Sequence, residues 1–226
     1  MNLTPEQKSL IVRVVNVFET GRPEGDYGAV SILDDGPGGV AQVTYGRSQA
    51  TEYGRLPELL RAYVASGGAQ AGDLAGCLPR LTTGTLPGDA AFLALLGRAG
   101  GDPIMVRLQD ELFEEKFFRP AMAWAAAEGF GLPLSGLVAY DSWVHSGGIL
   151  PWLRKRFPER TPTHGGEERA WMRAYVEARR DWLASHARQV LRHTACRPRW
   201  FLARMAAGDW ELRRRPLVVN GVKVAA

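Results

Sequence analysis

The feature that most constrains this chain is the stretch Val14–Gly46, VVNVFETGRPEGDYGAVSILDDGPGGVAQVTYG, in which an apolar helix runs towards a glycine-rich turn between two short strands. The helix starts near Thr4. In Thr4-Pro5-Glu6-Gln7 the threonine is an N-cap, the proline takes the first helical position, and the glutamine completes a capping box. Ile11, Val15, Phe18 and Glu19 recur at helical spacing, so a carboxylate leaves the helix on or beside its apolar stripe. Apolar surroundings and the negative end of a helix both oppose ionisation, and a carboxyl that keeps its proton suits a general acid. The competing reading is a helix-end side chain that extends to water.

Gly28–Leu33 and Val40–Tyr45 read as strands, and Asp34-Asp35-Gly36-Pro37-Gly38-Gly39 carries the turn residues that join them. An aspartate there is ordinarily a turn former. A carboxylate at a helix end and a second in a hairpin turn are nevertheless the pair that glycoside hydrolysis requires. One protonates the leaving oxygen, and the other activates water or attacks directly.

These residues carry a family resemblance. The FETG run, the acidic-Asp-Gly-x-Gly turn and the strand after it resemble the chitosanases of glycoside hydrolase family 46, within the lysozyme-like superfamily. Later segments agree in order: Leu112–Pro120 (LFEEKFFRP), Leu137–Gly147 (LVAYDSWVHSG), Gly165–Arg179 (GGEERAWMRAYVEAR) and Arg199–Leu212 (RWFLARMAAGDWEL). The resemblance implies Glu19 as general acid and Asp35 as the base that activates water, with inversion at the anomeric carbon; the adjacent Asp34 is the alternative base or a helper to Asp35. It also implies a mainly α (α+β), lysozyme-like bilobal fold with a small β-hairpin sheet in one lobe and a long helix bridging the lobes. The whole of residues 1–226 is then a single catalytic domain. Two departures stand out. Where the family typically has a threonine five residues after the base, this chain has Val40, and Thr44 on the same strand is the candidate substitute. Arg55 falls where chitosanases commonly carry an acid that grips a cationic sugar.

The remaining sequence supplies candidates around that pair. Tyr27, Tyr45 and Tyr53 lie near the proposed groove as stacking residues, and Arg47, Ser48, Gln49 and Thr51 belong to the polar connection Arg47–Gly54, which either lines a sugar groove or faces water. Leu56–Ala65 reads as a helix, with shorter helices near Asp73–Leu81 and Asp89–Leu96. Asp102-Pro103 opens a longer helix that Pro120 should kink before it ends near Ala127. Asp141 sits among Leu134, Leu137 and Val144, and Arg179 among Tyr175, Ala178 and Trp182. A buried charge costs several kcal/mol unless paired, so Asp141 with Arg179 is the economical pairing, and Arg199, on a face with Leu202, Ala203 and Ala206, is a candidate third member. Such a network either tunes Glu19 or is a core ion pair without a chemical role. Trp124, Trp143, Trp171 and Trp182 fall at helical spacing with apolar groups, which favours core. Asn220-Gly221 forms a terminal hairpin between Leu217–Val219 and Val222–Val224.

Composition narrows the partners. With 226 residues and 46% hydrophobic content the chain builds a substantial core, and its net charge of +4 permits anionic partners without identifying one. Arg154-Lys155-Arg156 and Arg213-Arg214-Arg215 are short basic clusters outside any nucleic-acid motif, so nucleic acid is not expected. The four histidines and the lone Cys77 and Cys196 lack metal-ligand spacing, so neither a metal nor another cofactor is expected, and free thiols are favoured over a disulfide. No charged-then-apolar leader or membrane-length apolar run is visible. A monomer acting outside the producing cytoplasm, after lysis, through a holin or by dedicated secretion, is the expectation. The substrate expected first is bacterial peptidoglycan, because Arg55 and the positive charge oppose a polycation, with chitosan second. A catalytically silent wall-binding module is the alternative from another class.

Overall fold

The computed structural model describes residues 1–47 and 49–225. In chain order come α1 (Pro5–Thr20), β1 (Val30–Leu33), β2 (Gln42–Tyr45), β3 (Ala50–Thr51), α2 (Leu56–Ala65), α3 (Ala71–Ala75), α4 (Ala90–Ala99) and α5 (Pro103–Phe113). A π-helical stretch, Glu114–Phe118, leads into α6 (Arg119–Ala127), followed by α7 (Pro133–Ser146), α8 (Pro151–Arg154), α9 (Glu168–Ala184), α10 (Gln189–His193), α11 (Cys196–Ala206), β4 (Leu217–Val219) and β5 (Val222–Val224). The chain is mainly helical with a small antiparallel sheet, as expected. No helix among the described residues is long and apolar enough to cross a membrane.

Local chemistry explains several of these boundaries. The capping box at Thr4 is reciprocal: the Gln7 N–H donates to Thr4 Oγ1 at 3.2 Å and the Thr4 N–H to Gln7 Oε1 at 2.9 Å. Asp89 and Asp102 cap α4 and α5 through the amides of Phe92 and Ile104. The kink expected at Pro120 takes the form of the π-helical stretch just before it. Proline has no N–H for the carbonyl four residues back, and the wider turn relieves the steric clash there.

The contacts divide the chain into two compact units, Met1–Phe18 with Glu115–Ala226, and Glu19–Glu114. The first is built around Leu10, Ile11, Val14 and Val15 of α1, Leu134, Leu137 and Val138 of α7, Trp171 and Tyr175 of α9, and Phe201 of α11, all buried. Trp124 and Trp143 join Trp171 in an aromatic cluster, with ring centroids 5.6–5.7 Å apart from Trp124. The terminal hairpin pairs as expected, Leu217 with Val224 and Val219 with Val222.

The second unit carries the three-stranded sheet, in the order β1-β2-β3. Its central strand is buried along its whole length: Val43 and Tyr45 on one face, Gln42 and Thr44 on the other. The polar connection expected over Arg47–Gly54 contains β3, whose two residues are too few to show alternation. Gly46, at φ +82°, lies against the Gln109 side chain, where a Cβ would collide. That approach lets Gln109 accept from the Arg47 N–H at 3.1 Å and donate to the Tyr27 carbonyl at 2.8 Å.

Candidate functional site

Asp35 lies two residues beyond Leu33, the last residue of β1, and Leu33 pairs with Gln42 on β2. Opposed residues of an antiparallel pair project to the same face, and so does the residue two further along. Gln42 therefore meets Asp35, and its Nε2 donates to Asp35 Oδ1 at 2.7 Å. The turn beyond is drawn tight by the Gly36 N–H donating to the Val40 carbonyl at 3.0 Å. A Cβ on Gly36 would stand 2.8 Å from that oxygen and 3.2 Å from the Tyr53 ring, so the residue after Asp35 has room only for glycine. Asp34 is exposed, and Glu19, half-buried, is in the last turn of α1.

A buried carboxylate missed by sequence reading anchors this sheet. Glu52, fully buried, accepts from the Val43 N–H and the Thr82 N–H, each at 3.1 Å, while its own N–H donates to the Val43 carbonyl at 2.8 Å. Only the pairing of β2 with the chain after β3 shows this role, because its sequence neighbours carry no pattern.

The polar network of the other unit centres on Asp141. Arg179 Nη1 donates to Oδ2 at 2.6 Å and Arg197 Nη1 to Oδ1 at 2.8 Å, with all three residues buried. Burial pushes the Asp141 carboxyl up, but the two guanidiniums outweigh it and hold the group below the usual carboxylate range. Burial, followed by the same two arginines, depresses the neighbouring His145 to about 3, with Asp141 opposing, so its imidazole is neutral. Arg197 also reaches the Phe18 carbonyl at 3.4 Å and stacks on the Phe18 ring, which connects the network to the last turn of α1, one residue before Glu19. Arg199, expected as the third member, is exposed instead. The buried face of α11 runs through Arg197, Phe201 and Met205, four residues apart, and a residue two positions on points away from it.

Residues 13–214 of the sequence match glycosyl hydrolase family 46. The chain belongs to that family. It is a glycoside hydrolase, and its relatives include a curated chitosanase from Bacillus subtilis (strain 168), 28% identical over 203 residues, spanning 82% of this chain and 70% of that protein. The family 46 chitosanase of Gynuella sunshinyii in complex with chitotetraose shares its fold at TM-score 0.85 and 24% identity, with 99% and 98% of the two chains covered. A mutant chitosanase from Bacillus subtilis MY002 complexed with six GlcN superposes at TM-score 0.84 and 21% identity, with 99% of each chain covered.

Several expected sugar-binding residues of this family 46 chain are otherwise engaged. Tyr45 is fully buried, and burial, followed by Tyr63, Asp102 and Asp26, pushes its phenol up, so it cannot stack on a sugar. Arg47 is buried, ion-paired with Asp110 at 3.0 Å and placed over the Tyr27 and Phe113 rings. Tyr27 donates to Asp110 at 2.8 Å, and burial with that hydrogen bond pushes its phenol up to about 12. Thr44, the proposed water-holding hydroxyl, is buried and hydrogen-bonded to Gln49 Oε1 at 2.8 Å and the Ser31 carbonyl at 3.3 Å. Gln49, at φ +57°, is thereby turned onto Thr44, and Thr51 pairs with Thr44 across the ladder. Tyr53 is partly exposed beside the Gly36 turn. Arg55 is exposed and ion-paired with Glu58 at 3.2 Å. Ser48 lies outside the described residues. Cys77 and Cys196 are free thiols.

Proposed function

We propose that this family 46 hydrolase cleaves the β-1,4 linkages of chitosan, with Glu19 protonating the bridging oxygen and Asp35 activating water for inversion. The observation that carries the reading is the family match over residues 13–214, which spans both carboxylates, together with relatives named as chitosanases. Peptidoglycan, the first expectation from sequence, has less behind it. The charge of Arg55, which favours an anionic wall, is offset by its ion pair with Glu58. Either polymer lies outside the producing cytoplasm, where the enzyme is proposed to act.

The test incubates the protein with soluble chitosan and, in parallel, with purified bacterial sacculi, followed by product mass analysis and NMR of the newly formed anomer. Glucosamine oligomers released as the α-anomer are expected, and Glu19→Gln lowers their release roughly 10²- to 10⁴-fold. Muropeptide fragments from sacculi with intact chitosan would move the substrate to peptidoglycan. Polymer binding without new reducing ends, unchanged in Glu19→Gln, would make the protein a binding module.

A further inference from the structure

The side-chain amide of Gln42 touches two partners that fix its orientation. The Tyr53 backbone N–H is a donor, so the atom it meets at 3.3 Å is Gln42 Oε1, and Nε2 is left to face Asp35 Oδ1 at 2.7 Å. Gln42 is almost fully buried on the central strand. At 2.7 Å its contact with Asp35 lies at the short end of the range for N–H···O hydrogen bonds. Among the described residues this is the only hydrogen bond to the Asp35 side chain, and it occupies one oxygen.

We propose that Gln42 is a positioning residue for the base. Anchored through Tyr53 to the chain after β3, it holds Asp35 Oδ1 so that Oδ2 is directed to the water it deprotonates. The threonine typical of the family is absent at Val40, and Thr44 spends its hydroxyl on Gln49 and Ser31, so the sheet steadies the base through an amide two residues earlier on β2. This inference rests on Asp35 being the base, and the experiment separates the two claims.

Gln42→Glu keeps the chain length and the acceptor for Tyr53 but removes the donor to Asp35, and Gln42→Met removes both. With chitosan oligomers, each is expected to lower kcat roughly 10- to 100-fold, the scale of a misplaced catalytic group, while KM stays within about twofold because ground-state binding is untouched. The deciding measurement is a double-mutant cycle with Asp35→Asn, with slow turnover followed by mass spectrometry of products. If Gln42 acts through Asp35, either Gln42 substitution causes no further loss in the Asp35→Asn background. An equal fold-loss in both backgrounds, a rise in KM in place of a fall in kcat, or full activity of Gln42→Glu overturns the positioning role. Should Asp35→Asn alone turn over like the parent, the base assignment itself fails. If Gln42→Met does not fold, Gln42→Glu decides the matter.

Discussion

Replacing Asp141 by asparagine removes the negative charge from a fully buried site that holds two guanidiniums. The side chain keeps its volume, but one of its two acceptors becomes an NH₂ group facing a donor at a contact now 2.6 or 2.8 Å long. Among the described residues, Arg179 Nε and Nη2 have no hydrogen-bond acceptor, so Asp141 is its recorded carboxylate partner. Breaking a buried pair by deleting one partner costs about 3–5 kcal/mol, because the remaining charges stay desolvated. For a chain of this length each kcal/mol lowers the melting temperature by roughly 2–4 °C, so Asp141→Asn should melt about 6–20 °C below the parent. Circular dichroism melts at low and high salt provide the assay. Salt should leave the difference intact, because a buried pair is poorly screened. A drop under about 3 °C, well below the expected range, or one that vanishes in salt, would refute the view that these charges are held by each other.

Two further outcomes follow from buried groups. Folded His145 takes a proton only near pH 3, whereas an unfolded imidazole does so near 6.5. Between those values the unfolded chain binds the extra proton, so stability present above pH 6.5 falls as the pH is lowered, by up to about 2 kcal/mol at pH 5. Urea midpoints measured from pH 7 to 4 should show this slope, and His145→Gln should flatten it; identical slopes would reject the assignment. Glu52→Leu leaves the Val43 and Thr82 amides without their acceptor, at about 1–3 kcal/mol each. Faster hydrogen exchange at both amides is expected, and unchanged protection would show that the carboxylate is not what holds them.

The sequence was most informative where an interaction closes within one turn or one hairpin. Thr4 with Gln7, the proline-led helices, the glycines after Asp35 and the Asn220-Gly221 hairpin all depend on neighbours a few positions apart, and each was legible. The pairing of Asp141 with Arg179 could also be read, because a charge inside an apolar stripe demands an opposite charge and few were available. Arg199 reads as the third member because Leu202, Ala203 and Ala206 lie on its side of α11, whereas the buried partner is Arg197 on the other side. Arg197, Phe201 and Met205 were the pattern that would have resolved it. The sugar-binding residues are least legible, since tyrosine, arginine and threonine side chains look the same in sequence whether they face a ligand or, like Tyr45, Arg47 and Thr44, fill a core.

What this sequence determined by itself was its mainly helical fold class and the family it belongs to, because caps, periodicity and turn residues act over short separations. Tertiary structure alone decided which polar groups meet. Gln42 reaches Asp35 because of strand register, and Glu52 holds β2 because the chain returns along it. Tyr45 and Arg47 were taken from solvent by the helices and strands around them. Burial and pairing depend on segments far apart in the chain, and no local pattern encodes them.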